Sequence, residues 1–581
     1  MHEAIGIGAS DYLGLALATL LAVLVLALIP IEPVARRLAR RTRWCMLFLA
    51  GLTIALRLAL LPAHPVPTPK GADDFSYLLE ADTLAHFRLA NPPHPMHRFF
   101  ETTFVVQQPA YGSIYPPGPA LVLALGQVVF HLPWAGVVLS TAAFCSLCYW
   151  MLRGWTTPGW ALAGGLLAVC EFGPLSYWMN CYWGGAVSAS AGCLVFGALP
   201  RLRERWRIRD AILLGLGVGV QMLSRPYESV FLDLAVVLFF LGVLFGRSAK
   251  KNAASEEPGE PSRTGGSGAE QGFRPTWQFG KYTKMAAVAG LAVLPSVALL
   301  AFHNHAVTGS WVTLPYMLSR YQYGVPSALT FQPSPVPHAH LTAAQQLYYE
   351  GQSAAHDATP GFYGRLLSRV AFTRFFLLPP LFLVLPFFLL LVGEFRFAWV
   401  ALTLLLFAAG NNFYPYFFPH YDAAAACLVV LVAVAGLERL SRFNALAARW
   451  IVILCGAHFV FWYGVNAFGS DRFLSAMSEY DTWDVISHGD PEHRIAFDTQ
   501  LARTPGKQLV FVRYGAGHGY HEWIHNAADI DAARVVMALD LGPDENEKLE
   551  RYYPDRAVWL LEPDALPPSL THYQAQTEAA R

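Results

Sequence analysis

The sequence predicts an α-helical polytopic membrane protein with about 12–13 transmembrane segments and a small extracytoplasmic α/β domain at its C-terminal end. Three observations predict it. The 581 residues are 54% hydrophobic and only 14% charged, whereas an ordinary soluble domain is about a quarter charged. Apolar runs of spanning length recur between residues 12 and 467, separated by arginine-rich turns. After Gly469 the chain turns polar for its remaining length. The 41 basic and 41 acidic residues cancel, so net charge makes no case for a nucleic-acid partner.

The run 12–31 is long enough to span and too long for the apolar core of a cleavable signal peptide, so it is expected to remain as the first helix. A second run covers 44–62. Arg36, Arg37, Arg40, Arg41 and Arg43 lie between them and mark that turn as cytoplasmic. The loop 63–116 is therefore expected on the outer face. Helices follow near 118–131, 134–152, 160–172 and 178–200, and Arg201, Arg203, Arg205 and Arg207 mark another cytoplasmic turn. Four crossings from outside would end outside, so either two of these segments form one long or broken span or one is re-entrant. Pro174 and Gly184-Gly185 are the candidate breaks.

The pair near 208–224 and 228–246 turns on the outer side at Ser224-Arg225-Pro226-Tyr227-Glu228. Residues 247–281, rich in Glu, Gly, Ser, Pro and Lys, read as a disordered cytoplasmic linker. A span at 285–302 leads to a second outer loop, 303–370, which carries Asn304, Tyr316, Arg320, Tyr321 and Tyr323. Spans near 371–393, 397–413, 421–440 and 449–467 complete a membrane domain of residues 1–469. Residues 470–581 then read as an extracytoplasmic α/β domain, with strands at 509–514, 535–539 and 557–561 and helices at 492–503 and 545–552. Gly515-Ala516-Gly517-His518-Gly519 lacks the spacing of a nucleotide-binding loop. The eight cysteines all lie in or beside apolar runs and imply no disulfide framework; Cys145-x-x-Cys148 sits within a helical run and reads as core.

Chemistry concentrates on the outer side. Gly71-Ala72-Asp73-Asp74-Phe75-Ser76-Tyr77-Leu78-Leu79-Glu80-Ala81-Asp82 places four carboxylates beside the membrane. A helix starting here brings Asp73 and Asp74 to its N-terminus, where the helix dipole favours anions; a capped, solvated loop helix is the plainer reading. The same loop supplies His94, His97, Glu101 and Gln108 and re-enters through Tyr115-Pro116-Pro117-Gly118-Pro119, the prolines stiffening the start of the next helix. Arg225 can grip a lipid phosphate by bidentate hydrogen bonds, or snorkel or pair with Glu228. His420, Tyr421 and Asp422 close an aromatic tract that also fits a membrane-boundary belt. No metal site is assigned, because His94-x-x-His97 between prolines lacks a helical frame; a divalent ion on Asp73, Asp74, His94 and His97 is the lesser alternative.

In their order these motifs resemble the GT-C superfamily of membrane glycosyltransferases: Asp73-Asp74 with Tyr77 and Ala81 behind, Tyr115-Pro116-Pro117-Gly118, Leu223-Ser224-Arg225-Pro226-Tyr227-Glu228, and Pro419-His420-Tyr421. More narrowly, they are similar to the bacterial dolichyl-phosphate-mannose protein mannosyltransferase-like family, to which the aminoarabinose lipid A transferases are related. The resemblance covers most of residues 44–440. It implies a polyprenyl-phosphate-sugar-dependent hexosyl- or pentosyltransferase in a bacterial inner membrane, acting on a glycolipid, polysaccharide or protein acceptor at the outer face. It implies no required cofactor. Asp73 would be the general base, Asp74 would stand where relatives often have Glu, and Tyr77, Tyr115, Arg225, Glu228, His420 and Tyr421 would contact substrate; Arg320 of the second outer loop is a further substrate-binding candidate outside the resemblance. The competing reading is a transporter or lipid-linked-glycan flippase, against which stands the lack of inverted repeats of short interrupted helices.

Overall fold

The structure, a computed structural model, describes residues 37–255, 276–468, 493–519 and 521–573, with a few positions of the first apolar run. Most of the span expected at 12–31, the middle of the linker and the start of the C-terminal region lie outside the described residues. In chain order the first half contributes α1 (Thr42–Ala59), α2 (Ala72–Ala85), α3 (Pro117–Phe130), α4 (Pro133–Leu152), α5 (Pro158–Phe172), α6 (Ala186–Arg205), α7 (Ile208–Ser224), α8 (Pro226–Ser255) and α9 (Thr276–Thr308). The second half adds α10 (Phe395–Asn411), α11 (Ala423–Phe443) and α12 (Ala445–Phe468). The protein is a multi-pass helical membrane protein. Among the described residues six helices are long and apolar enough to cross, and four shorter apolar helices accompany them.

Proline sets many of these boundaries. Pro117, Pro133 and Pro158 each open a helix, where a missing N–H costs nothing and the fixed φ suits the first turn. The span expected at 371–393 is broken for the converse reason: Pro379, Pro380 and Pro386 leave short 3-10 and α pieces at Pro379–Val384 and Leu385–Leu389, since an interior proline removes a helical hydrogen bond. The linker read over 247–281 is helical at both ends, because α8 runs to Ser255 and α9 begins at Thr276.

At the centre of the bundle stands α11, buried continuously from Ala423 to Leu437. Its small residues let neighbours approach closely. A Cβ on Gly192 of α6 would lie 1.9 Å from the Ala424 carbonyl oxygen, so only glycine permits this crossing.

The parity conflict resolves at α3. Gly118 opens it against Leu223 and Ser224 at the end of α7. It closes at His131, in the left-handed region at φ 54°, and α4 begins two residues later. Trp134, in the first turn of α4, donates to the Met179 carbonyl at 2.9 Å and lies under the Arg57 guanidinium. Tyr182, close by in sequence, donates its N–H to Asp74 at 3.0 Å. Both ends of α3 thus lie at the Asp73 end of the bundle. Its 14 residues span about 21 Å, short of a bilayer core, so α3 returns to the side it left.

The C-terminal region holds a four-stranded sheet in the order β4-β3-β5-β6, made of β3 (Lys507–Val512), β4 (Val535–Leu539), β5 (Arg556–Glu562) and β6 (Ser569–His572). The first three are parallel, and β6 is antiparallel to β5. Helices α13 (Arg494–Arg503) and α14 (Pro543–Tyr552) accompany it. Two short strands of the first loop, β1 (Val105–Val106) and β2 (Gly112–Ser113), pair with each other. One face of the main sheet, through Leu509, Phe511, Val536 and Ala538, shares a buried cluster with Leu79, Phe99, Phe100, Val105 and Tyr111 of the first loop. The loop is therefore sandwiched between sheet and bundle.

Candidate functional site

The candidate site forms at the end of the bundle away from the arginine-rich turns. The 17 residues of α7 separate Arg207 from Arg225 by about 25 Å. Asp73 and Asp74 both fall in the first turn of α2, as their sequence position predicts, yet their surroundings differ. Asp74 is buried. Its Oδ1 accepts the Tyr182 N–H at 3.0 Å, and its Oδ2 accepts the Lys70 and Gly71 N–H groups at 3.2 and 3.3 Å. Burial pushes its carboxyl up to about 6, opposed by those three N–H groups. Asp74 thus caps its own helix and ties it to the 177–185 segment.

Asp73 is half-buried and faces the other way. The Tyr115 hydroxyl donates to its Oδ1, and the Tyr115 ring stacks on Tyr77 with centroids 4.4 Å apart. The reason lies in helix periodicity: positions 73 and 77 share a face. The Asp73 charge acts on Tyr77, Tyr115, Tyr416 and Tyr421. Burial holds the Tyr115 and Tyr416 hydroxyls well above the ordinary phenol range, so both stay protonated donors.

Arg225 caps the C-terminus of α7, its N–H bonding the Gln221 carbonyl at 2.7 Å, and Pro226 opens α8 immediately after. Its guanidinium meets Glu228 at 3.3 Å and lies over the Tyr421 ring at 4.8 Å. Its charge also acts on Tyr77. Tyr77 thus feels both the cation of α7 and the anion of α2. His420 is buried nearby, its Nδ1 3.3 Å from the Tyr177 hydroxyl and its ring against Trp183 and Phe418.

The structure therefore brings Asp73, Tyr77, Tyr115, Arg225, Glu228, His420 and Tyr421 together. Arg320 is placed at the edge of this group. Its guanidinium bonds the Pro326 and Ser327 carbonyls and lies over Tyr316, so it secures its own loop. Tyr316 was noted only as part of the second outer loop, and Tyr177, Trp183, Tyr414 and Tyr416 were not assigned a role from sequence. Their only signal there is aromatic enrichment, which a membrane-boundary belt produces equally well.

The other carboxylates and histidines of the loop are engaged elsewhere. Glu80 is fully buried with an oxygen 3.0 Å from His303 Nε2. Asp82 accepts from Gln127 at 2.9 Å and from the Ala528 N–H at 2.7 Å. His94 reaches Asp531 and Tyr553 of the C-terminal region at 3.2 and 3.1 Å. The ligand set considered for a divalent ion is thereby divided between two places, and among the described residues no three His, Cys, Asp or Glu side chains converge as a metal site.

A cation was missed outright. Arg57 of α1 is fully buried, donates to Asn180 Oδ1 at 2.9 Å and to the His64 and Pro65 carbonyls at 3.0 Å each, and covers Trp134. It fastens the ends of α1 and α4 to the 177–185 segment that also holds Asp74.

No family model matches the chain, and no curated protein matches it. Solved structures similar to it include ArnT from Cupriavidus metallidurans in the apo state, at 11% identity over 88% of this chain and 92% of that one with a TM-score of 0.48. The same protein bound to undecaprenyl phosphate gives 11%, 88%, 92% and 0.42. The archaeal oligosaccharyltransferase AglB from Archaeoglobus fulgidus, in complex with an inhibitory peptide and a dolichol-phosphate, gives 11%, 89%, 69% and 0.36. At this level of similarity they carry no inference about substrate or reaction.

Proposed function

We propose that this protein is a glycosyltransferase that moves a sugar from a polyprenyl-phosphate-linked donor to an acceptor hydroxyl at the outer face of the membrane. One observation carries the reading. A half-buried carboxylate and a guanidinium, Asp73 and Arg225, each meet an aromatic ring, Tyr115 and Tyr421, and both charges act on Tyr77 in an aromatic-lined site at the end of a membrane bundle. The reaction needs these two charges. As the acceptor oxygen bonds to the anomeric carbon, Asp73 takes the hydroxyl proton as general base. The bond from that carbon to the phosphate oxygen breaks, and the polyprenyl phosphate leaves with the electron pair. Arg225, held by Glu228 and Tyr421, stabilises the charge that grows on the phosphate.

Tyr115 orients the Asp73 carboxylate. The phenol donates a hydrogen bond to Oδ1 and so fixes the direction in which the carboxylate faces. The half-buried Tyr416, its hydroxyl held protonated, adds a donor for sugar or phosphate oxygens. The outer-face placement is itself part of the proposal and follows from the arginine-rich turns at the opposite end.

Asp73→Asn tests the reading. Membrane vesicles carrying the wild-type protein are expected to consume endogenous lipid-linked sugars and yield a glycosylated product by mass spectrometry. The variant is expected to lose that conversion by about 10³-fold while still binding undecaprenyl phosphate. Unchanged conversion would overturn the assignment; sugar movement across liposomes with no product would favour transport.

A further inference from the structure

We infer that the C-terminal α/β region is a positioning element of the candidate active site, gripping the Asp73 helix through the segment 521–528 with Glu522 as its central residue. The inference rests on the reading of Asp73 above.

The grip touches α2 along its whole length. Before the first turn, Gly71 and His521 form an antiparallel β-bridge, and the Glu522 N–H donates to the Lys70 carbonyl at 3.1 Å. On the next turn, the Phe75 ring stacks on His525 at 4.3 Å, with the Arg494 guanidinium 5.3 Å away. Near the last turn, the Ala528 N–H donates to Asp82 at 2.7 Å. Phe75, Leu79 and Asp82 share one stripe of the helix. Asp73 and Tyr77 lie two residues before Phe75 and Leu79, about 200° round the axis. One face of α2 is thus bound to the C-terminal region while the other presents the site.

Glu522 holds the gripping segment in shape. Its side chain is buried and its Oε1 accepts from the Tyr514 hydroxyl at 2.7 Å and from the Trp523 and Ile524 N–H groups at 3.1 Å each. The Thr103 N–H of the first loop also favours its charge. Arg494 donates to the Glu522 carbonyl at 2.7 Å and covers Trp523. Loop, sheet and α13 therefore meet on one residue. A sheet that served only as a tether has no need of three successive contacts on a single 14-residue helix.

The consequence is specific. Loosening the 521–528 segment frees α2 to rotate or shift, which moves Asp73 relative to Arg225 on α7, because Arg225 has no contact with this segment among its described hydrogen bonds and ring contacts. Transfer falls, while phosphate binding at Arg225 persists.

Hydrogen exchange on the full-length protein in lipid nanodiscs tests this, comparing wild type with Glu522→Ala and the milder Glu522→Gln. Arg513→Ala, which breaks the Arg513–Asp540 pair elsewhere in the same region, is the control. Glu522→Ala is expected to speed exchange in residues 70–77 about tenfold, Glu522→Gln by less, and Arg513→Ala not at all. Affinity for undecaprenyl phosphate is expected to stay unchanged in all three, while consumption of lipid-linked sugars in vesicles falls with the exchange effect. Protection of 70–77 that persists in both Glu522 variants would overturn the inference, as would an equal effect of Arg513→Ala. Should Asp73→Asn retain transfer, the functional reading fails while the exchange result still decides the grip.

Discussion

Two charged regions lie side by side at one end of the bundle, and they use their charges in opposite ways. Around Arg57, Asn180 and Asp74, the guanidinium has three hydrogen bonds and an aromatic cover, and the carboxylate has three backbone N–H donors. Around Arg225 and Asp73, the guanidinium meets a carboxylate oxygen at 3.3 Å and the carboxylate is half-buried against the Tyr115 phenol. The first arrangement is buried and bonded mostly to backbone, which suits a structural role; the second is more exposed, which suits the role proposed for it. Adjacent acids in sequence, Asp73 and Asp74, fall on different sides of this divide because successive helical residues point about 100° apart.

Substitutions can break or sharpen that contrast. Arg57→Ala leaves Asn180 and two carbonyls without a donor. It is expected to cost about 3 kcal/mol or more of stability, read as an earlier thermal unfolding transition in nanodiscs. Arg225→Ala is expected to weaken undecaprenyl phosphate binding by about 2 kcal/mol, some 30-fold, measured by titration in nanodiscs at fixed salt. Tyr115→Phe removes one hydrogen bond to Asp73, and a loss of about 1 kcal/mol, roughly fivefold in transfer rate, is expected with phosphate binding intact.

The smallest effect concerns pH. Burial raises the Asp74 carboxyl to about 6, above the ordinary value near 4, so between those limits the folded state holds the proton more tightly than the unfolded state. The Asp74 contribution to stability is therefore greatest below about pH 4, falls as pH rises to about 6, and is flat beyond. Asp74→Asn is expected to flatten the unfolding temperature across that window.

Much of this was legible in the sequence. Arginine-rich turns and apolar run lengths located most bundle helices within a few residues, and the 535–539 strand was placed without error. Strand β6 escaped notice because Ser569-Leu570-Thr571-His572 is a short, mostly polar edge strand after two prolines. The Asp73, Tyr77, Tyr115, Arg225 and Tyr421 group was also legible, since each belongs to a short motif at a helix end. What sequence could not divide was Asp73 from Asp74, because the Tyr182 N–H comes from 108 residues away. Arg57 was hidden inside an apolar run for the same reason: its partners Asn180 and Trp134 are distant in sequence. The topology of α3 required knowing that both of its ends meet the same end of the bundle.

The most direct measurement sets Asp73→Asn beside Asp74→Asn, with transfer and thermal unfolding read on each. The account predicts that Asp73→Asn loses transfer by about 10³-fold at an unchanged unfolding temperature, whereas Asp74→Asn unfolds earlier and keeps most transfer per folded molecule. Loss of transfer in Asp74→Asn at unchanged stability, with Asp73→Asn active, would contradict it.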